Sequence, residues 1–208
     1  MAPPAKTVRR RGRRQGEPVS REAVLAAAKQ RFASQGYEGT TLRSIADDAH
    51  VDPSMVLYLF GSKLELFRES LRLIIDPQVL VTALSDGDGD IGTRLVRTYL
   101  QIWESPETGP SMVAMLQSAT SNSDAHEAFR SFMQTYVLTA VAGVFGGDEQ
   151  ARLRAMLSAT TLVGTAILRY VMKIPPLASL TGDELVRVLA PTVTRYLTAG
   201  ADELGLPG

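Results

Sequence analysis

The residues best suited to chemistry lie in a basic run near the N-terminus. Residues 1–17 carry six basic side chains against the single acid Glu17, and the rest of the chain is net negative. The basic residues are Lys6, Arg9, Arg10, Arg11, Arg13 and Arg14. Their cationic groups bind phosphates, and a segment this rich in Pro, Gly and Arg cannot form a core. We therefore expect a flexible basic arm, either a solvated tail or a polyanion binder; composition alone weighs the two equally.

Catalytic and metal-binding chemistry find little support in the sequence. The chain has no Cys, and its two histidines, His50 and His126, lie in no recognisable catalytic or zinc-binding pattern. A Gly-x-Ser-x-Gly elbow, a P-loop, a dinucleotide-binding fingerprint and a His-Glu-x-x-His motif are all missing from the sequence. The sequence therefore predicts a protein that is not an enzyme and has no catalytic residues, cofactor or metal.

One acidic stretch resembles the start of a calcium site. Asp86, Asp88 and Asp90 have the alternating spacing that opens an EF-hand loop. Ile91 stands where the turn glycine is needed, and Arg97 stands where the bidentate glutamate is needed. We therefore interpret the stretch as a solvated surface loop that separates a small domain from a larger one.

The composition is that of a globular protein without a membrane segment. Hydrophobic residues make up 45% of the chain and charged residues 21%, which is ordinary for a folded domain. No apolar run approaches the roughly 18 residues that span a bilayer, and the N-terminus lacks an apolar signal-peptide core. We expect a cytoplasmic protein with no membrane partner, stabilised by packing because disulfides are excluded.

Apolar residues recur every three or four positions and strand-like alternation is missing, so the sequence predicts an all-α fold of about nine helices. The first helix begins after Ser20, a good N-cap, and ends at Gly36, where glycine can take a positive φ. A capping box over residues 62–65 opens the fourth helix, which Pro77 terminates. The fifth to ninth helices are predicted over residues 91–104, 111–121, 124–145, 148–173 and 183–199.

The second and third helices are short and closely spaced. Thr41 caps the second, over residues 42–49, and Asp52 with Pro53 opens the third, which runs to residue 59. Two short helices joined by a tight turn indicate a helix-turn-helix. The predicted domains are the arm over residues 1–17, a three-helix helix-turn-helix domain with a linker helix over 18–75, and a larger helical domain over 76–208.

The last two predicted helices carry matching apolar faces that include small residues, which let helices approach closely. The first face comprises Leu153, Met156, Leu157, Thr160, Gly164, Ile167 and Leu168, and the second comprises Leu185, Val188, Leu189, Thr192 and Tyr196. Such faces fit either the core of a monomer or half of a four-helix bundle between two subunits. The sequence pattern alone favours neither the monomer core nor the bundle between subunits.

A set of positions between residues 20 and 67 has a distinctive spacing. The positions are Phe32, Gly36, Tyr37, Thr41, Ile45, Ala46, Val51, Tyr58, Phe60, Lys63 and Leu66. Together they closely resemble the DNA-binding domain of the TetR family. Residues 95–199, including YLQIWESPETGP and LRYVMKIPPLASL, are more loosely similar to the C-terminal domain of a TetR branch common in actinomycetes.

The resemblance implies a sequence-specific DNA-binding transcriptional regulator, a repressor that a small molecule releases from a pseudo-palindromic operator. It implies a ligand cavity inside the larger domain. It also implies a homodimer formed mainly by residues 150–172 and 183–198, which makes the intersubunit bundle our preferred interpretation of the apolar faces. The rival function is a helical interaction protein whose DNA binding is weak or non-specific.

In such a domain the third helix, here residues 53–59, enters the major groove of DNA. The candidates for phosphate contact are Thr41, Tyr58 and Lys63, and those for base contact are Arg43, Ser54 and Met55, with Ser44 and Pro53 beside them. The structural alternatives are a simple N-cap at Thr41, a solvated Arg43 and a core-packed Tyr58.

The chain departs from the family pattern within the helix-turn-helix. His50 replaces the usual turn glycine, while Pro53, Leu57 and Leu59 stand where Lys, Tyr and His are usual. Each of the last three replacements removes a polar or charged group that could touch DNA, and residues 20–67 hold only five Lys or Arg against six Asp or Glu. We hypothesise that the arginines of the arm supply the missing attraction by tracking phosphates or entering the minor groove.

For the larger domain the sequence offers candidate groups that line a ligand pocket. They are Tyr99, Trp103, Met112, Met115, Gln117, Phe129, Met133, Tyr136 and Tyr170. Aromatic and Met side chains with few polar groups suggest a small, mostly apolar effector. The alternative is that these residues, which recur at helical spacing, are plain core.

Overall fold

The computed structural model describes residues 21–72 and 77–207, and every regular element in these two stretches is helical. The α-helices are α1 (Arg21–Gly39), α2 (Leu42–Asp48), α3 (Pro53–Phe60), α4 (Lys63–Arg72), α5 (Pro77–Ser85), α6 (Ile91–Glu104), α7 (Gly109–Ser121), α8 (Ser123–Phe132), α9 (Thr139–Val144), α10 (Glu149–Ala166), α11 (Gly182–Thr198) and α12 (Ala201–Leu204). Two π-helical segments, Met133–Leu138 and Ile167–Val171, join α8 to α9 and extend α10. The predicted all-α class, with an N-terminal helix-turn-helix and a larger helical part, is confirmed.

The helices of the small domain begin where their capping residues predict. The Thr41 hydroxyl accepts a hydrogen bond from the backbone N of Ser44 at 3.0 Å, and the Ser44 hydroxyl accepts one from the backbone N of Thr41 at 3.1 Å. Asp52 caps α3 by accepting from the backbone N of Ser54 at 2.8 Å. Between α2 and α3, His50 has a φ of 54°, so it takes the left-handed conformation that glycine usually supplies in this turn.

The first helix changes direction at Gly36, which has a φ of 69°. Glycine tolerates this backbone conformation because it has no Cβ. The predicted end of the helix at this glycine is therefore observed as a break, after which the chain makes one more turn to Gly39. Ser20, the predicted N-cap, lies outside the described residues.

Aromatic rings pack α4 against α1, and apolar side chains of α2 and α3 complete the same core. Phe32 of α1 and Phe67 of α4 meet edge to face, with ring centroids 4.8 Å apart, and both side chains are buried. Ile45 of α2 and Val56 of α3 are fully buried in the same core. This apolar core fixes the angle between α2 and α3, and thereby the direction in which α3 faces.

The sequence pattern does not predict α5, because it indicates Pro77 only as the end of the fourth helix. Proline also suits the first position of a helix, where its missing N–H costs nothing, and α5 begins there. Leu80 and Leu84 bury one face of α5, which packs on α6 and α9. The loop over residues 85–90 therefore joins two helices of the larger domain, and the prediction that it separates the domains is wrong. Residues 73–76 lie outside the described part of the chain.

The acidic residue at the start of α6 has a structural role. Asp90 accepts hydrogen bonds from the Thr194 and Thr93 hydroxyls and from the Thr93 backbone N. These bonds, that from Thr194 foremost, lower the pKa of Asp90 to about 2. Next to it, α6 touches α11 so closely that a Cβ on Gly92 would lie 2.3 Å from the carbonyl oxygen of Ala190. Asp90 therefore serves to cap α6 and hold it against α11.

The rest of the larger domain follows the predicted order of helices. The predicted helix over residues 124–145 appears as α8, a π-helical segment and α9, and the one over 148–173 appears as α10 with its π-helical extension. The short helix α12 was not predicted. Among the described helices, none is both long enough and apolar enough to cross a membrane.

Candidate nucleic-acid interface and internal cavity

The third helix turns one face to the core and the other to the outside. Val56 and Phe60 are buried beneath it. On the opposite face Ser54 is exposed, Leu57 is 47% exposed and Tyr58 is 84% exposed. The helix predicted to enter the major groove therefore presents polar and apolar groups outwards, and on that side it is not packed against the other described residues.

Hydrogen bonds already occupy part of the polar groups at the start of α3. The Ser54 hydroxyl donates to the Asp52 carboxylate at 2.6 Å, and the Ser54 backbone N donates to the same oxygen at 2.8 Å. These bonds hold the pKa of Asp52 below its ordinary value. The Ser54 oxygen keeps lone pairs that can accept from a base. Pro53 and Met55, the neighbouring candidates, are half-buried.

The neighbouring helix α2 supplies two further exposed candidates. Thr41 and Arg43 both face solvent. Since the Thr41 oxygen accepts from the Ser44 backbone N, the hydrogen of the Thr41 hydroxyl remains free to be donated to another group. Ser44 is half-buried, and its hydroxyl donates back to the carbonyl oxygen of Thr41 at 2.8 Å.

Lys63 at the start of α4 has an aromatic partner. Its ammonium nitrogen lies 4.2 Å from the centroid of the Tyr37 ring, an arrangement that stabilises a cation. Partial burial lowers the pKa of Lys63, whereas the charges of Glu38 and Asp124 act in the opposite direction. The side chain is thus half-buried at the edge of the helix-turn-helix and has an internal contact in this structure.

Few basic groups near the helix-turn-helix are available to attract DNA. Arg21 and Arg31 form ion pairs with Glu69 and Asp48, which leaves Arg43 as an exposed cation beside α3. The sequence predicts that the arginines of the N-terminal arm supply the missing attraction to DNA, but these arginines lie outside the described residues. They are Arg9, Arg10, Arg11, Arg13 and Arg14.

The end of α1 is hydrogen-bonded to α7 and α8 of the larger domain. The backbone N of Tyr37 donates to the Ser118 hydroxyl at 3.1 Å, and the Tyr37 hydroxyl donates to Asp124 at 3.1 Å. Burial, reinforced by the negative charge of Asp124, raises the pKa of Tyr37 to about 12. The Asn122 amide adds a bond to Glu38 at 2.6 Å. Sequence reasoning found Tyr37 only through its spacing, because its partners lie more than eighty positions away.

An apolar cavity of about 90 Å³ lies inside the larger domain. Six of the nine predicted pocket residues line it: Tyr99, Trp103, Met112, Met115, Phe129 and Met133. The other wall residues that are described come from α5 through α10 and are apolar except for Ser158. Of the three remaining candidates, Gln117 is exposed on an outer groove, Tyr170 borders the same groove, and the side chain of Tyr136 lies outside the described residues.

A pair of stacked aromatic rings separates the cavity from this outer groove. The rings of Trp103 and Tyr170 lie 5.3 Å apart and are inclined by only 8°, and Trp103 lines both spaces. The Tyr170 hydroxyl and the Arg169 guanidinium both donate to Glu104 at 3.0 Å. Burial raises the pKa of Tyr170 to about 12. The Glu104 carboxylate thus holds the π-helical segment against the end of α6.

Parts of the two predicted apolar faces are uncovered on the surface of the chain. Met156 and Leu168 on the α10 side are exposed, and Val188 on α11 is 58% exposed. By contrast, Leu185 and Leu189 are buried within their own chain. Within the described residues, no group of three or more His, Asp or Glu side chains is arranged to hold a metal ion.

An outward-facing helix-turn-helix on a helical body that encloses an apolar cavity is the architecture of a DNA-binding regulator. Two family models match the chain. Residues 24–70 match the bacterial regulatory proteins of the tetR family, and residues 89–197 match the tetracyclin repressor-like C-terminal domain. The chain therefore belongs to the TetR family of transcriptional regulators, as the sequence resemblance implied, and this family consists of DNA-binding proteins rather than enzymes.

Solved structures and a curated relative agree with this assignment. A TetR-family regulator from Streptomyces coelicolor A3 is 34% identical, with 89% of this chain and 98% of that chain covered and a TM-score of 0.60. NalD, the secondary repressor of the MexAB-OprM multidrug efflux pump in Pseudomonas aeruginosa, shares the fold at 22% identity, with 86% and 96% covered and a TM-score of 0.60. The transcriptional regulator RutR of Escherichia coli K12 is 40% identical over 58 residues; this match spans 28% of the chain and only 27% of RutR.

Proposed function

We propose that the chain is a homodimeric repressor that leaves a pseudo-palindromic operator when a small, mostly apolar effector occupies the cavity. The observation that carries the proposal is the outward face of α3, on which Tyr58 is 84% exposed. Large aromatic side chains left uncovered on a folded protein mark contact surfaces, and the second helix of a helix-turn-helix lies in the major groove. The face of α3 is therefore assigned to DNA.

The polar groups around α3 divide into two kinds of contact. Thr41 and Tyr58 donate their hydroxyls to phosphates, and Lys63 adds a positive charge beside them. Arg43 has the planar, two-pronged donor set that recognises guanine, and the half-buried Met55 supplies an apolar contact for a thymine methyl group. The phosphate contacts position the helix, whereas the base contacts select the sequence.

The N-terminal arm provides the electrostatic attraction that the helix-turn-helix lacks. Arg21 and Arg31 already have acidic partners, and ion-paired arginines neutralise phosphates less effectively. The arm adds five arginines over residues 9–14, which displace counterions when they lie along the DNA backbone. Affinity is thus assigned largely to the arm, and sequence selection to α2 and α3.

The uncovered apolar face on α10 and α11 pairs two copies of the chain. Met156, Leu168 and Val188 are exposed on it, and a Cβ on Gly164 would meet no atom within 4 Å, so a partner helix can approach closely there. Leu185 and Leu189, which are buried within the chain, pack α11 against its own subunit behind this face. A two-fold dimer formed in this way presents two copies of α3 to two half-sites of an operator.

The experiment that tests the proposal starts from operators selected out of random double-stranded DNA by the full-length protein. Fluorescence anisotropy then compares the wild type with Arg43→Ala, which is expected to lose about 1–3 kcal/mol of binding free energy and to relax selection at one base position. Arg97→Ala is the matched control, because Arg97 is an exposed arginine in the larger domain. Compounds that release the selected operator then identify effectors.

The alternative function, a helical interaction protein with weak or non-specific DNA binding, draws on one observation. Leu57 is 47% exposed on α3, at a place where an apolar side chain suits a protein partner as well as DNA. Failure to enrich any sequence from random DNA at low salt would favour this alternative. Enrichment of a two-fold symmetric site would exclude it.

A further inference from the structure

We propose that the effector is a neutral, mainly apolar molecule with one hydrogen-bond acceptor, which the Tyr99 hydroxyl binds inside the cavity. This inference rests on the effector binding proposed above and specifies its chemical class. Tyr99 lines the cavity, is only 6% exposed, and has a buried hydroxyl without a hydrogen-bond partner among the described residues. Buried polar groups are nearly always paired in proteins, so an orphan in a cavity wall points to a partner that enters the cavity.

The neighbours of Tyr99 do not meet the need of this hydroxyl. The ring centroids of Trp103 and Tyr170 lie 5.8 Å and 6.4 Å from that of Tyr99. Tyr170 donates its own hydroxyl to Glu104, which also accepts from Arg169, so the Tyr170 hydroxyl is not available to Tyr99; the buried Nε of Arg169 likewise has no partner among the described residues. Burial raises the pKa of Tyr99 above its ordinary value. Its hydroxyl therefore stays protonated and is available as a donor.

The rest of the cavity wall excludes a charged ligand. Among the described residues that line it, none is Asp, Glu, Lys, Arg or His. The other hydroxyl in the wall, that of Ser158, donates to the carbonyl oxygen of Arg154 at 3.0 Å. A charged group placed there would be desolvated without a partner, which is strongly unfavourable. A carbonyl or ether oxygen on an otherwise apolar molecule, by contrast, satisfies Tyr99 and leaves no polar group unpaired.

The size of the cavity further limits the ligand. Its volume of about 90 Å³ is below the roughly 150 Å³ of an engineered apolar cavity that holds benzene. Three of the wall residues, Met112, Met115 and Met133, are unbranched and adapt their shape easily. A compact ligand of about one ring therefore enters with local rearrangement of these side chains, and a larger ligand displaces the helices themselves.

Two probes of the same shape isolate the hydrogen bond. Cyclohexanone carries a carbonyl oxygen, and methylenecyclohexane carries a CH₂ group in its place. Binding of each to the full-length wild type and to Tyr99→Phe is followed by the emission of Trp103, the single tryptophan of the chain, and by the shift of the unfolding midpoint. We expect Tyr99→Phe to bind cyclohexanone about fivefold more weakly than the wild type does. We expect it to bind methylenecyclohexane at least as tightly.

The same measurements contain the outcomes that overturn the inference. Unchanged cyclohexanone affinity in Tyr99→Phe, an equal loss for both probes, or no binding of either probe to the wild type would each refute it. Without a probe, Tyr99→Phe is expected to unfold at or above the wild-type midpoint, because it lacks the unpartnered hydroxyl; a lower midpoint counts against the inference.

Operator release separates this inference from the proposed repressor function. Should a charged compound release the operator while neither probe binds, the ligand class is wrong and the repressor function stands. If the binding of cyclohexanone depends on Tyr99 while no compound releases the operator, the inference about the cavity stands. The proposal that an effector controls the repressor is then refuted.

Discussion

Replacing Ser118 with alanine tests how the larger domain holds the DNA-binding helices. The Ser118 hydroxyl accepts a hydrogen bond from the backbone N of Tyr37 at 3.1 Å, directly after the break in α1 at Gly36. Both Ser118 and Tyr37 are buried. Alanine removes the acceptor and leaves the Tyr37 N–H in a place that water reaches poorly.

The expected cost follows from the loss of this partner. A buried donor without an acceptor costs about 1–3 kcal/mol, which exceeds the roughly 1 kcal/mol net value of the hydrogen bond itself. For a chain of this size each kcal/mol corresponds to about 2–4 °C in the unfolding midpoint. We therefore expect Ser118→Ala to lower the free energy of unfolding by about 1–3 kcal/mol.

The assay is urea unfolding at a fixed protein concentration, because a dimer makes stability depend on concentration. Ser121→Ala is the matched control on the same helix. Ser121 is exposed, and its hydroxyl only donates back to α7 carbonyls, at 3.2 Å to Gln117 and 3.4 Å to Ser118. The control is expected to change stability by less than about 0.5 kcal/mol. If the two variants unfold alike, Ser118 does not fasten the domains together.

Four other changes have definite outcomes. Gly92→Ala is expected to destabilise the chain by about 3 kcal/mol in urea unfolding, because its Cβ would meet the Ala190 oxygen at 2.3 Å. Gly143→Ala, which meets no atom within 4 Å, should stabilise it by up to about 1 kcal/mol, and the reverse order would refute the packing argument. Deleting residues 1–16 should reduce the slope of log affinity against log salt by about 0.9 for each phosphate that the arm neutralises, so an unchanged slope excludes a role for the arm. Val188→Glu should yield monomers in sedimentation with an unchanged circular dichroism spectrum, and persistent dimers would place the interface elsewhere.

The features of the fold that short-range chemistry determines were predictable from the sequence. The second and third helices start after Thr41 and Asp52, whose side chains accept hydrogen bonds from nearby backbone N–H groups. Gly36 and His50 take the positive φ expected at the two breaks around them. Each of these outcomes depends on residues within about four positions, which is the range that a sequence pattern covers well.

The features that depend on distant residues were not predictable in the same way. Local sequence favours a helix start at Pro53 but only a helix end at Pro77. The helix that begins at Pro77 depends on the burial of Leu80 and Leu84 against other helices. The π-helical segment that carries Tyr170 has no pattern of its own in the sequence. Whether an aromatic residue lines the cavity, as Phe129 does, or borders the groove outside it, as Tyr170 does, is decided by helix packing.

Two helices, α7 and α8, connect the cavity to the DNA-binding helices, and α8 does so through Phe129 in the cavity wall and Asp124 at Tyr37. Met112 and Met115 of α7 line the cavity, and Ser118, one turn further on, holds the end of α1 at Tyr37. Protein interiors are close-packed, so a ligand too large for the methionine side chains of the cavity of about 90 Å³ to accommodate cannot enter without moving the helices of the wall. When α7 moves, α1 must follow it or lose the bond to Ser118, and α1 packs on α2 and α4, which both contact α3. On the function proposed above, an effector that moves α7 away from the position that suits the operator weakens operator binding, and the operator weakens effector binding by the same free energy.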